Sequence, residues 1–156
     1  MLALFLAISE TLSKAYQTEV ITKQVEASNL WAFFQAKSIR KTTTDVALQS
    51  AQISPNAEDP KVAEQIKKWA AASKRYDTEP DTGEGRKELA ERAKKAQELG
   101  ELANHKYHNL EISSGVLQVA IVLASSAIIT NVMMLAWLAG GLGIVAVGFG
   151  IFAMFG

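Results

Sequence analysis

The sequence predicts an all-α membrane protein with a long, antiparallel, coiled-coil-like helical domain between an N-terminal membrane segment and a C-terminal two-helix membrane hairpin. All sixteen Lys and Arg residues and all sixteen Asp and Glu residues lie between Glu10 and Glu111, so the segment 112–156 has no ionisable side chain. That segment is long enough for two helices of the ~20 residues that a bilayer core requires. Within the charged region, apolar residues recur three and four apart, as they do on one face of a helix. We therefore divide the chain into residues 1–15, 16–111 and 112–156.

The composition excludes several classes of enzyme and transporter. The chain has no cysteine, which excludes disulfides, thiolate nucleophiles and sulfur-ligated metal sites. The formal net charge is zero and both signs are intermixed, so we expect no nucleic-acid partner. The sequence contains no GxSxG motif, no P-loop and no dinucleotide fingerprint, and its charge-free segment lacks the acidic or basic residue of a proton-coupled transporter. We therefore expect no cofactor and no catalytic residue.

The first residues, 1–15, are the predicted N-terminal membrane segment. Residues 1–8 are apolar, and charges follow at Glu10 and Lys14. The apolar stretch is about half of a span, and it lacks the basic region and cleavage site of a secretory signal. We favour a first span that is incomplete because the chain as given begins inside a longer one. The alternative is a short membrane-embedded helix end whose polar residues snorkel to the interface.

One long helix is predicted between Tyr16 and Ile53, because this stretch contains neither proline nor glycine and would extend about 55 Å. Its apolar or small positions, three and four apart, are Ile21, Val25, Ser28, Ala32, Gln35, Ile39, Thr42, Val46 and Ile53. Beside them, Leu30 and the aromatic residues Trp31, Phe33 and Phe34 widen the apolar face. We favour a local core for these aromatic residues, with a partner-binding or headgroup-level patch as the alternative.

Breaks near 54–60 and 77–85 divide the charged domain. Asp59 followed by Pro60 predicts a helix N-cap with proline at the first helical position. The helix that follows has one apolar face, formed by Val62, Ile66, Trp69 and Tyr76. At the second break, Asp81 with Glu84 three residues later predicts another N-cap with a reciprocating carboxylate.

A heptad pattern begins after Arg86 and continues past Glu111 into the charge-free segment. Its members are Leu89, Ala93, Ala96, Gly100, Ala103, Tyr107, Leu110, Ser114 and Leu117. Small residues let two helix backbones approach closely, so we expect a tight partner helix along Ala93, Ala96, Gly100 and Ala103. Because the register is unbroken, we also expect one continuous helix to enter the membrane.

The membrane hairpin is predicted from residues 112–130 and 135–155, with a turn near 131–134 and Trp137 at the membrane interface. The returning span has small residues four apart, and in lipid such residues permit close helix packing. They are Ala136, Ala139, Gly140, Gly143, Ala146 and Gly150. Packing within the chain and an interface between copies both remain open.

Two groups of residues resemble metal sites only weakly. Glu101, His105 and His108 could share one helix face, here called the juxtamembrane cluster, but a metal usually needs ligands from a second element. We favour a role at the headgroup level for them and predict no metal. A second group resembles a calcium loop in spacing, but Thr82 stands where the loop requires glycine, and we favour a solvated acidic loop. This group is Asp77, Glu79, Asp81 and Glu88.

Three stretches resemble a bacterial membrane family catalogued as domain of unknown function 4337. They are VEASNLWAFFQAKSIR at 25–40, RYDTEP at 75–80 and QVAIVLASSAIIT at 118–130. The resemblance implies one N-terminal and two C-terminal spans around a helical domain. It implies no established activity, so no catalytic residue is carried over. Members carry more apolar residues upstream of the position that corresponds to Met1.

These observations predict a multi-pass protein of the bacterial inner membrane whose helical domain is cytoplasmic, because the N-terminal tip and the hairpin turn lack Lys and Arg. We expect a structural or accessory protein that self-associates or scaffolds a larger membrane complex, with lipid as a partner and no chemistry of its own. The alternatives are a metal-dependent membrane enzyme that uses the juxtamembrane cluster, and a passive oligomeric channel lined by Gln118, Ser125 and Asn131.

Overall fold

The protein is all-α, as the sequence predicts. A computed structural model describes the backbone of residues 2–155 and the side chains of residues 2–152, and no strand occurs in this part of the chain. Its helices are α1 (Leu2–Gln52), α2 (Pro60–Asp77), α3 (Arg86–Thr130) and α4 (Met133–Phe155).

The helices form two compact units. The first, which we call the hairpin unit, contains α1 up to Thr22, α3 from Leu99 onward, and α4. The second, the charged unit, contains α1 from Lys23, α2, and α3 up to Glu98. Each long helix therefore contributes one part to each unit.

The predicted long helix is confirmed, but its predicted apolar positions are not its buried face. Helix α1 buries Val20, Ala27 and Leu30, whereas Val25 and Ile39 of the predicted pattern are 54% and 67% exposed. The helix thus has two apolar faces, and only one of them packs within the described chain.

The N-terminus of α2 agrees with the prediction. The carboxylate of Asp59 accepts a hydrogen bond from the backbone N–H of Lys61 at 2.8 Å, and Pro60 is the first helical residue. The cap satisfies a backbone donor that the first turn of a helix leaves without a partner, and proline has no N–H to satisfy.

The second predicted N-cap, at Asp81, is wrong. Helix α3 begins at Arg86, and the carbonyl of Gly85 accepts the first helical hydrogen bond from Leu89 N–H at 2.9 Å. The chain turns first at Gly83, whose φ of 66° is left-handed and favours glycine. A Cβ atom at Gly85 would lie 2.8 Å from the Cα of Thr78, so glycine also fits the close approach before the helix.

The core of the charged unit joins α1 to the first turns of α3. Ala27 and Leu30 of α1 are buried together with Leu89, Ala93 and Ala96 of α3. Trp31 and Phe34 pack against this core, and their rings meet edge to face with centroids 5.4 Å apart. The small residues bring the helices close, and the aromatic rings cover the edge of the contact.

In the hairpin unit, α3 and α4 are both long and apolar enough to cross a membrane. Only Asn131 and Val132 separate them, and Asn131 has a φ of 55°, a left-handed conformation that asparagine tolerates. The unbroken α3 confirms the prediction that a single helix continues from the charged sequence into the charge-free segment.

Leu89 provides a test of the core in the charged unit. It is fully buried, so Leu89→Ala should lower the free energy of unfolding by about 2–5 kcal/mol through lost burial and the cavity left behind. Leu102→Ala is the matched control, because Leu102 is on the same helix and 60% exposed; its effect should stay within about 0.5 kcal/mol. Urea unfolding in mild detergent, followed by tryptophan fluorescence, measures both. Equal effects would contradict the core.

Candidate functional site

The most unusual side chain of the charged unit is Lys37 of α1, which is only 7% exposed. A buried ammonium group is costly unless other groups replace its hydration. The Nζ atom of Lys37 lies 3.6 Å from a carboxylate oxygen of Glu79 and 3.6 Å from one of Glu84. Both carboxylates come from the segment around the α2–α3 loop. Lys37 therefore ties that loop to α1.

Two aromatic rings complete the surroundings of Lys37. Its Nζ atom is 5.5 Å from the ring centroid of Phe33 and 5.7 Å from that of Tyr76, within the range of a cation–π interaction. Phe33, for which partner binding is the alternative to a local core, is thus close to a cation of its own chain. We call Lys37, Glu79, Glu84, Phe33 and Tyr76 the Lys37 cluster.

Glu79 has three kinds of partner. Its carboxylate accepts hydrogen bonds from Nη2 and Nε of Arg75, at 2.6 and 3.0 Å, and these bonds hold its pKa below the ordinary value, with a further contribution from Lys37. Its backbone N–H donates to a carboxylate oxygen of Glu88 at 3.3 Å. Glu79 therefore stays ionised where the buried lysine needs a counter-charge.

Asp77, another residue of the group that resembles a calcium loop in spacing, also binds cations of the chain. Asp77 lies 3.3 Å from Nη1 of Arg86 and 3.8 Å from Nζ of Lys87. The Arg86 guanidinium in turn lies 5.3 Å from the ring centroid of Phe34. The carboxylates of Asp77 and Glu79 thus fix the loop through Arg and Lys side chains.

Asp45 links α1 to α2 through contacts of its carboxylate with side chains of both helices. Its carboxylate lies 2.7 Å from Nζ of Lys41 and accepts a hydrogen bond from the hydroxyl of Ser73. Hydrogen bonds from Lys41 and then from Ser73 hold the pKa of Asp45 below its ordinary value. This contact lies between residues that are far apart in sequence, and no local pattern predicts it.

In the hairpin unit, four of the predicted small residues of α4 are buried: Ala139, Gly143, Ala146 and Gly150. An added Cβ atom at Gly143 would lie 2.8 Å from Cδ2 of Leu2, and one at Gly150 would lie 2.9 Å from Oγ of Ser113. The Ser113 hydroxyl donates to the carbonyl of Ala146 at 2.8 Å. These glycines therefore allow α1 and α3 to approach α4.

The other predicted small residues divide between buried and exposed positions. Ala93, Ala96, Gly100 and Ala103 of α3 are all buried. Ala136 and Gly140 of α4 are exposed, and nothing lies within 4 Å of a Cβ atom added at Gly140. Ala136 and Gly140 therefore lie at the surface of the described chain.

The juxtamembrane cluster is exposed on α3. Glu101, His105 and His108 all lie at the surface, and the described residues contain no group of three or more His, Cys, Asp or Glu that could hold a metal ion. The Nδ1 atom of His108 lies 4.0 Å from a carboxylate oxygen of Glu111.

The predicted channel-lining residues are in different surroundings from one another. The side-chain amide of Gln118 donates to Glu10 at 3.2 Å, and the hydroxyl of Ser125 donates to the carbonyl of Ile121 within its own helix at 2.9 Å. Asn131 is in the turn between α3 and α4.

The Lys37 cluster predicts that removing the Glu79 carboxylate lowers stability more than removing the Lys37 ammonium group. Glu79→Gln should lower the thermal midpoint at pH 7 by several degrees, because it leaves a buried ammonium with only the half-exposed Glu84 carboxylate. Lys37→Met should have a smaller effect, because Glu79 keeps Arg75 and the thioether keeps the aromatic contacts. Circular dichroism of the purified variants tests the order.

The same cluster predicts a pH dependence. The folded pKa of Glu79 is lowered, so its stabilisation is present above its ordinary pKa of 4.5 and is lost as the pH falls through the folded value. Between pH 7 and pH 3, the midpoint of Glu79→Gln should therefore fall less than that of the unchanged protein. Parallel curves would contradict this role of Glu79.

Gly150 and Gly148 form a matched pair in the hairpin unit. Gly150→Leu should destabilise the unit by about 1–3 kcal/mol, since the new side chain displaces Ser113 from its bond to Ala146. Gly148→Leu should be neutral, because nothing lies within 4 Å of an added Cβ atom there. Unfolding by sodium dodecyl sulfate measures the difference, and similar losses would count against this packing.

The comparisons with known proteins give one match. No curated protein and no solved structure matches the chain. A family described as a domain of unknown function (DUF4337) matches residues 1–156, and the chain belongs to this family.

Proposed function

We propose that this protein is a membrane-anchored structural protein that self-associates and thereby scaffolds a larger membrane complex, without chemistry of its own. The observation that carries the proposal is an exposed heptad pattern on α1 within the charged unit. We call it the α1 seam, and its residues are Val25, Ser28, Ala32, Gln35, Ile39, Thr42 and Val46.

The α1 seam exposes apolar surface in a part of the chain that is otherwise highly charged. Val25, Ile39 and Val46 are 54%, 67% and 58% exposed, respectively. Each Å² of apolar surface removed from water is worth about 25 cal/mol. Burial of these side chains against another helix is therefore favourable, and the helix that presents a matching row is α1 of a second copy.

The types of residue in the seam favour a two-stranded, parallel coiled coil. In heptad terms, Val25, Ala32, Ile39 and Val46 occupy a positions, and three of these four are β-branched, as parallel dimers prefer. The d positions are Ser28, Gln35 and Thr42. Polar residues at such positions reduce stability but fix the register of the two helices.

The residues that flank the seam do not oppose pairing. Flanking positions such as Gln24, Asn29, Ser38 and Thr43 are uncharged. Asp45 is a charged flanking residue, and it is bound by Lys41 and Ser73 of its own chain. Like charges across the interface therefore do not keep two copies apart.

Anchoring in one membrane supports the parallel direction. We place α3 and α4 across the bilayer, with the N-terminal part of α1 beside them, as the contact between Leu2 and Gly143 supports. Two pairs in the hairpin unit, Glu10–Gln118 and Tyr16–Lys106, support an antiparallel course of α1 and α3. Copies inserted with the same topology then present their α1 helices in the same direction.

The hairpin unit offers a second contact between copies. The exposed Ala136 and Gly140 are four residues apart on α4, and such small residues permit close packing of helices in lipid. We place the charged unit on the cytoplasmic side of a bacterial inner membrane, because all Lys and Arg residues lie between the predicted spans.

Single cysteines test the parallel dimer directly, since the chain has none of its own. Val46→Cys should form an intermolecular disulfide in native membranes after mild oxidation, because equivalent a positions face each other in a parallel pair. Arg40→Cys is exposed but lies outside the seam, and it should remain reduced. Equal cross-linking at both positions, or at neither, would refute the proposed interface.

A charge placed in the seam should separate the copies. Ile39→Glu puts like carboxylates into the dimer contact and should yield monomers in mild detergent, measured by analytical ultracentrifugation. Arg40→Glu adds a carboxylate at the next residue, about 100° around the helix, and should leave the dimer intact. A monomeric unchanged protein would also refute self-association through α1.

A further inference from the structure

A polar groove in the hairpin unit lies where the charged sequence meets the charge-free segment. The groove has a volume of about 460 Å³, and α1 and α3 form its walls. Glu10 and Lys14 of α1 line one wall, and Glu111 and Gln118 of α3 line the other. In sequence, Glu111 is the last charged residue before the predicted span, and Glu10 and Lys14 are the first charges after the apolar N-terminus. If α3 and α4 cross the bilayer, the groove lies at the level of the lipid headgroups.

The groove contains a buried hydroxyl group that lacks a partner. Ser114 lines the groove and is only 7% exposed, and its Oγ atom has no hydrogen-bond partner in the part of the chain that the structure describes. A buried hydroxyl without a partner is unfavourable. A polar ligand that reaches this hydroxyl would remove this cost.

The wall beside Ser114 is open. Gly115 also lines the groove, and nothing lies within 4 Å of a Cβ atom added there. A side chain at Gly115 would therefore begin in open space and extend from this wall of the groove.

The charges of the groove fit a ligand that carries both signs. Glu10 and Glu111 supply carboxylates, and Lys14 supplies an ammonium group. Both carboxylates already accept one hydrogen bond, from Gln118 at 3.2 Å and from Tyr107 at 3.1 Å, and a carboxylate can accept several. With more carboxylates than cations, the groove is poorly suited to a purely anionic headgroup.

We propose that this groove binds the headgroup of an aminophospholipid of the phosphatidylethanolamine class. The primary ammonium group of the lipid donates to Glu10, and its phosphate accepts from Lys14, one turn further along α1, and from the hydroxyl of Ser114. A choline headgroup has no N–H to donate, and quaternary ammonium groups are usually bound by several aromatic rings. The inference rests on the membrane placement in the proposed function.

Lipid retention tests the inference. The full chain is reconstituted into nanodiscs with equal amounts of phosphatidylethanolamine and phosphatidylcholine, re-extracted in mild detergent, and its retained lipids are measured by native mass spectrometry. We expect about three- to tenfold enrichment of phosphatidylethanolamine, the range set by charge-assisted hydrogen bonds at a partly exposed site. Equal retention of the two lipids would overturn the proposal.

Variants separate the groove from general lipid contact. Gly115→Leu fills the groove and should abolish the enrichment, whereas Gly148→Leu, an equally open position of α4 outside it, should retain the enrichment. Ser114→Ala should reduce the enrichment while keeping the protein at least as stable in phosphatidylcholine alone, because it removes a buried hydroxyl without a partner. Enrichment that survives Gly115→Leu would overturn the assignment to this groove.

The outcomes also separate this inference from the proposed function. Ile39→Glu should lose self-association and keep the lipid preference. Gly115→Leu should keep self-association and lose the lipid preference. A protein that alkaline extraction releases from membranes would contradict both proposals. A membrane-inserted protein that forms the Val46→Cys disulfide but retains both lipids equally would overturn the lipid inference alone.

Discussion

Close packing along one heptad row of α3, made of small residues and leucines, underlies both units. Ala93 and Ala96 meet α1 in the core of the charged unit, and Leu110 and Leu117 continue the same heptad row as buried residues of the hairpin unit. Because the row changes neither register nor face, α3 serves both units as one uninterrupted helix. A larger side chain at one of the small positions of this row would push the helix backbones apart. The polar contacts between those helices would then be exposed to solvent.

Lys37 of the charged unit and Ser113 of the hairpin unit are buried polar residues whose partners differ in kind. The charged unit buries the ammonium group of Lys37 and compensates it with two carboxylates and two aromatic rings. The hairpin unit uses short neutral groups, as where the Ser113 hydroxyl donates to the carbonyl of Ala146. This difference follows from the solvent that each unit is proposed to face. A hydroxyl bound to a backbone carbonyl suits a lipid-facing helix pair, whereas a buried ion pair needs nearby water and further charges to be tolerable.

The sequence predicts those features that depend on local periodicity or on a cap. The helical class, the unbroken α3 and the Asp59–Pro60 start of α2 belong to this group. Prediction from the sequence fails where tertiary packing decides which of two similar faces of a helix is buried. The buried face of α1 includes Lys37, which hydropathy assigns to the surface, because its partners come from a loop that is distant in sequence. Asp81 was a suitable cap by pattern, but the close approach at Gly85 places the start of α3 later.

The exposed face of α1 is the feature that supports the proposed self-association. Ser28, Gln35 and Thr42 occupy alternate positions of the α1 seam, so the fold of the single chain tolerates polar residues all along that face. Nothing within the described chain therefore requires Val25, Ile39 and Val46 to be apolar and β-branched. Their alternation with the polar positions has the period of a coiled coil, and a helix that needed only to remain soluble would gain nothing from it. In the proposed dimer, α1 of a second copy covers these three side chains, which gives a physical reason for their type and spacing.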